Sequence, residues 1–116
     1  MNGFELSQTI AKILNEKKAS ELKVLKIQDL TIVTDYIVIA SGTSFTQVRS
    51  LADEVEFKLQ QEYGMSPTHI EGYDSRHWIL LDYDTVIVHI FHPEARNYYN
   101  LDKLWADGEE IELELE

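Results

Sequence analysis

The stretch from Thr31 to Ala40 sets the first limit on what this chain can fold into. It is dense in β-branched residues and closes on an apolar run, Ile37 to Ala40. Such side chains fit the pleated surface of a sheet. A strand with apolar residues at successive positions is covered on both faces, so its sheet needs packing on each side. Ser41-Gly42-Thr43-Ser44 follows at once, and Ser44 with Gln47 has the pattern of a capping box that opens a helix. Phe45, Val48, Leu51, Ala52, Val55 and Leu59 recur at helical spacing, and Gly64 is placed to close the helix as a C-cap.

Other segments fill in the pattern. Residues 4–17 predict a helix, with Leu6, Ile10, Ile13 and Leu14 on one stripe. Ser20 to Gln28 predicts a strand near a sheet edge, because Lys23 and Lys26 fall on opposite faces. Ser66 to Glu71 predicts a short strand opened by Pro67. Trp78 to Leu81 and Val86 to Phe91 predict a hairpin around Asp82-Tyr83-Asp84-Thr85. After Pro93 the spacing of Tyr98, Leu101, Leu104 and Trp105 is helical, with Asn100 a candidate N-cap for a last turn. The order α-β-β-α-β-β-β-α predicts one α/β domain, a mixed five-stranded sheet with helices packed on it. Thr31–Ala40 and Ser66–Glu71, joined by a helix, suggest a parallel crossover. The domain is expected over residues 1–106; residues 107–116 alternate Glu with Ile or Leu, a pattern open to an edge strand or to unbound chain, and a flexible acidic tail is the reading preferred.

Charge narrows the class of partner. The chain of 116 residues carries a formal net charge of −11. Six acids lie in the last ten residues; without them 10 basic residues face 15 acidic ones, still an excess of negative charge. Direct binding to a phosphate backbone rests on Lys and Arg, so nucleic acid is not an expected ligand. A basic protein partner is, since opposite potentials steer encounter. The sequence has no cysteine, which removes thiolate chemistry, disulfides and Cys zinc sites. No apolar run approaches the ~20 residues of a membrane helix. The first residues, Met1-Asn2-Gly3-Phe4, carry no basic leader, and a cytoplasmic location is expected.

Candidate chemistry is thin. Asp82 and Asp84 are spaced to share a divalent metal on a strand, but they sit where a hairpin turns, and aspartate is favoured in turns. Ser41-Gly42 at a helix start is how nucleotidyltransferases hold a triphosphate, yet the following strand, Ser66 to Glu71, brings one acid and no pair. Of the four histidines, His89 lies among apolar strand residues and reads as a hydrogen-bonded sheet histidine. Aromatic residues are concentrated after residue 77, in Trp78, Tyr83, Tyr98, Tyr99 and Trp105. Core packing accounts for such residues, and so does a protein interface, whose hot spots favour Trp and Tyr.

Three blocks in order resemble a known family. Asp35-Tyr36-Ile37-Val38-Ile39-Ala40-Ser41-Gly42-Thr43-Ser44 with Gln47-Val48 is the first. Glu71-Gly72, Trp78-Ile79-Leu80-Leu81-Asp82-Tyr83 and Val86 to Phe91 make the second. Arg96, Tyr98-Tyr99, Leu101 and Lys103-Leu104-Trp105 make the third. Together they are similar to the Iojap-like ribosomal silencing factor family over about residues 5–106. Two positions depart from its pattern: Asp102 stands where a glutamate is usual, and Asp84 where glycine is frequent. The resemblance implies a nucleotidyltransferase-like sheet without the catalytic carboxylates, and no enzyme activity or cofactor. It implies a factor that binds the large ribosomal subunit through a ribosomal protein at the inter-subunit face. There it blocks joining of the small subunit and represses translation under nutrient limitation. A homodimer in solution is also implied.

The expected contact face is Trp78, Leu80, Asp82 and Tyr83, with His89 beside them if register allows. Trp78, Leu80 and Asp82 share one side of their strand by its period of two. Trp78 would be the buried anchor and Asp82 the partner of a basic side chain. Two other readings stand beside this one: a large-subunit assembly factor using the same surface, and a divergent nucleotide-binding enzyme using Ser41, Gly42 and Asp82 or Asp84.

Overall fold

A computed structural model describes residues 1–75 and 77–113, with Tyr98 and Tyr99 described by their backbone only. Helix α1 (Gly3–Glu16) opens on an Asn2 capping box, in which Asn2 Oδ1 accepts from the Glu5 N–H at 2.8 Å. Strand β1 (Ser20–Lys26) follows, then β2 (Tyr36–Ser41), every residue of which is buried. Helix α2 (Phe45–Tyr63) starts at Ser44, whose Oγ accepts from the Gln47 N–H at 3.0 Å. The other half of the expected capping box is shifted by one residue: the Gln47 side chain accepts from the backbone N–H and the hydroxyl of Thr43. Gly64 closes α2 at φ 64°, the left-handed conformation glycine adopts without strain.

The remaining elements are β3 (His69–Glu71), β4 (Trp78–Asp82), β5 (Val86–Phe91), α3 (Pro93–Tyr99), α4 (Leu101–Leu104) and β6 (Glu109–Ile111). The sheet has order β3-β4-β5-β2-β1-β6. Among the described residues its one parallel junction joins β2 to β5, with Tyr36 opposite Val86 and Ser41 opposite Phe91. The other pairings are antiparallel. Strand β3 runs parallel to β2, as the crossover reading expects, but β4 and β5 lie between them.

Six strands replace the five expected. The sixth comes from the segment read as a flexible tail: Glu109 pairs with Lys26, Glu110 with Leu25 and Ile111 with Val24. Alternating Glu and Ile suit an edge strand, with Ile111 packed on the core and acids outward. Residues 114–116 of that tail lie outside the described residues. Strand β2 is shorter than expected because β5 begins at Val86, opposite Tyr36, leaving Thr31 to Thr34 no strand to pair with. Instead Thr34 Oγ1 donates to the Asp84 carbonyl at 2.9 Å, tying this loop to the β4–β5 hairpin. The last expected helix is broken at Asn100, which adopts φ 51° and separates α3 from α4.

The two faces of the sheet are covered unequally. Helices α1 and α2 lie on one face, where Leu6, Ile10 and Leu14 of α1 and Leu51, Val55 and Leu59 of α2 meet Val38, Leu81 and Val88 of the strands. All of these are essentially inaccessible to water. The other face holds Leu25, Ile27, Ile37, Ile39 and Phe91, covered by Ala95 of α3 and Leu101 of α4, with Trp78, Ile87 and Trp105 half-buried at its margin.

Candidate functional site

The half-covered face leaves a groove of about 300 Å³. Its floor is Ile37, Leu80, Ile87 and His89 from the strands. Trp78, with Leu101, Leu104 and Trp105 from the C-terminal segment and Ile27, Thr31, Val33 and Thr34 from the segment after β1, completes the lining. Register explains the grouping. Trp78 lies opposite Phe91, Leu80 opposite His89 and Asp82 opposite Ile87, so these side chains share one face of adjacent strands.

Trp78 and His89 are coupled. The indole Nε1–H donates to His89 Nδ1 at 3.0 Å, and the indole stacks on Phe91 with ring centroids 5.0 Å apart. An indole nitrogen only donates, so Nδ1 must be unprotonated and the imidazole neutral, with its proton on Nε2. Burial reinforces this and pulls the His89 pKa down from 6.5 to about 4. The close turn before β4 is made by Gly72 at φ 75°, where a Cβ would collide with the Trp78 carbonyl.

The expected contact residues therefore divide. Trp78, Leu80 and His89 line one groove, and Asp82 ends the same strand face. Tyr83 does not join them. It is 5 % exposed and packs in the opposite core with Leu81 and Val86, because the next residue along an extended chain points the other way. Its hydroxyl has no hydrogen-bond partner among the described residues. Burial, with Glu56 adding to it, raises the Tyr83 pKa above the ordinary phenol value. Asp82 Oδ1 accepts from the Asp84 N–H at 2.8 Å, and Asp84 takes φ 75°. These aspartates thus build the hairpin turn.

The nucleotide-site constellation is taken apart by topology. Ser41 and Gly42 lie at the Phe91 end of the sheet, and Asp82 is at the Ile87 end. Four residues of strand separate those ends, about 13 Å. Ser41 Oγ is engaged by Arg96, whose Nη1 donates to it at 3.0 Å.

Arg96 itself went unassigned in the sequence. It is 7 % exposed and forks onto Asp102, Nε to Oδ2 at 3.2 Å and Nη2 to Oδ1 at 3.0 Å. Its Nη1 also donates to the Glu21 carbonyl, and Lys23 Nζ reaches Asp102 at 3.2 Å. The Arg96 guanidinium, with Lys23, holds the Asp102 carboxyl below its usual range. This clamp fixes α3 and α4 to the ends of β1 and β2, and so positions the groove wall. The shorter Asp102, in place of the usual glutamate, still completes it.

A second unassigned feature flanks the groove. Leu30, Ile32 and Val33 are exposed, Ile32 completely, and Leu104 is 66 % exposed. The signal was present in the β-branched residues Thr31 to Val33, which precede β2 and lie outside it. Exposed apolar side chains gathered beside an apolar groove are the pattern from which interaction surfaces are proposed.

Residues 3–116 match a family model described as ribosomal silencing factor during starvation. The chain is 38 % identical over 114 residues to a ribosomal silencing factor RsfS of Halalkalibacterium halodurans, covering 98 % of this chain and 97 % of that one. It is 34 % identical to the factor of the same name in Bacillus subtilis, covering 98 % and 96 %. A crystal structure of a Chromobacterium violaceum protein superposes with a TM-score of 0.87 at 31 % identity, covering 100 % of this chain and 95 % of that one. A crystal structure from Bacillus halodurans gives 0.77 at 34 % identity, covering 95 % and 96 %.

Proposed function

The chain belongs to the ribosomal silencing factor family, and from that premise we propose that it binds the large ribosomal subunit and represses translation by occupancy. The partner in this reading is a basic ribosomal protein at the inter-subunit face, and the setting is the cytoplasm. The docked domain excludes the small subunit sterically, and no bond is made or broken. One observation carries the reading: Trp78, Leu80 and His89 line an open apolar groove flanked by the exposed Leu30, Ile32 and Val33. An anchor residue in a pocket with apolar surroundings is how interfaces concentrate their affinity. The net charge of −11 steers the domain toward basic protein surfaces and away from rRNA phosphates. Expected kinship of the sheet with nucleotidyltransferases belongs to the same reading, supported by the strand, Ser41-Gly42 and helix succession with its acids at the far end.

Co-sedimentation of the purified protein with separated subunits tests it. Pelleting with the large subunit alone, and fewer joined ribosomes when both are mixed, is the expected result. Trp78→Glu, shown by circular dichroism to remain folded, should no longer pellet. Folded wild-type protein that stays in the supernatant with both subunits would overturn the reading.

A further inference from the structure

The groove is mostly apolar, and the hydroxyls of Thr31 and Thr34 in its lining are spent on Val33 N–H and the Asp84 carbonyl, which leaves His89 as its polar group of interest. His89 is 7 % exposed, and its Nδ1 is occupied by the Trp78 indole. The proton therefore sits on Nε2, and among the described residues no acceptor meets it. His89 contributes to the groove lining, so this donor faces the groove. This nitrogen is not among the atoms sealed from solvent, so water meets it in the free protein, and a ligand acceptor can take that water's place.

Resting on the ribosomal reading, we propose that the groove holds an extended segment of the basic partner protein, which inserts one large apolar side chain and offers the neighbouring backbone carbonyl to His89 Nε2–H. An apolar side chain fits the Leu80, Ile87 and Leu104 surfaces, and a carbonyl is the acceptor that accompanies every peptide side chain. Other occupants fit less well. The chain's own tail leaves β6 on the opposite face, where Leu113 packs with the α1–α2 core. A second copy brings a second net charge of −11, whereas Asp82, on this strand face, favours a cationic neighbour.

The test titrates 15N-labelled protein with N-acetyl-L-leucinamide, which joins one apolar side chain to carbonyl acceptors. Saturable shifts of both the Trp78 indole N–H and the His89 Nε2–H resonances are expected. His89→Asn retains an acceptor for Trp78 but does not reach the groove, and should weaken probe binding about fivefold or more. His89→Gln keeps a donor near the Nε2 position and should stay within about twofold of wild type. Absence of shifts at both resonances up to ~100 mM probe, or equal affinity in all three proteins, overturns the proposal.

The same three proteins are then tested on purified large subunits, with the Asn variant expected to be weakest. Probe binding with no subunit binding by wild type overturns the ribosomal partner and leaves the groove's chemistry in place. Subunit binding unaffected by His89→Asn overturns the groove as the docking site and leaves the ribosomal partner in place.

Discussion

Strand β4 presents a different world on each side. Leu81 looks into the core closed by α1 and α2, while Leu80, one residue earlier, looks into a groove that α3 and α4 cover only in part. The closed face is made of side chains that water does not reach, supported by two helices of 14 and 19 residues. The open face is roofed by helices of 7 and 4 residues held by one arginine clamp. Stability resides on the first face, and the proposed recognition on the second. A period of two lets one strand serve both.

The sharpest way to break this comparison is to mutate the two leucines separately. Leu81→Ala removes a wholly buried side chain and should cost ~3 kcal/mol, lowering Tm by roughly 10 °C. Subunit binding per folded molecule should be unchanged. Leu80→Ser should cost about 1 kcal/mol or less in stability yet reduce subunit binding by more than about tenfold. Thermal melts and pelleting assays on both variants read the two effects. Equal losses of binding would collapse the division between faces.

Acid comes next in size. The folded pKa of His89 lies near 4, below the ordinary 6.5, so the unfolded chain binds the proton first as pH falls. The stability it contributes is present above pH 6.5 and is lost between pH 6.5 and about 4, an effect of order 3 kcal/mol. Denaturant midpoints should fall across that window, and His89→Phe should flatten the fall. A midpoint as steep in the variant as in wild type would assign the acid sensitivity elsewhere.

Arg96→Met probes how the open face is roofed. Loss of the fork to Asp102 should cost ~2 kcal/mol. Amide exchange should rise in α3 and α4 while α1 and α2 keep their protection. Protection lost evenly across both faces would show that the clamp serves the whole fold rather than the roof. The smallest stability effect belongs to Ile32→Ser, within about 0.5 kcal/mol because the side chain is fully exposed. Its subunit affinity should still drop several-fold if the loop extends the docking surface. Unchanged affinity would confine that surface to the groove.

Much of this division was written in local pattern. The stripe of α2 and its Gly64 end, and the alternation Trp78, Leu80, Asp82, need only neighbours along the chain. What escaped needs partners far away. Whether Thr31 to Thr34 belongs to a strand depends on where β5 begins. Whether Glu109 to Ile111 pairs depends on an open edge at β1. Arg96 gathers Ser41, Glu21 and Asp102 from three elements, and no spacing announces such a meeting. Tyr83 was grouped with Trp78 by sequence proximity, and the pleat sends it to the opposite core.

The single parallel junction has a consequence for synthesis. Strand β2 waits for β5, translated some fifty residues later, before it gains that neighbour. The groove waits longer still, since its walls run from Ile27 to Trp105. Contacts so distant along the chain form late, after loop closure has been overcome. A nascent or truncated copy ending before Leu101 can build the helical core of α1 and α2 against part of the sheet, yet lacks α4 and the part of the groove that Leu101, Leu104 and Trp105 line. On the proposed reading, competence to dock arrives only with the C-terminal end of the polypeptide, and an unfinished copy lacks the finished surface with which to hold a ribosome, including the one making it.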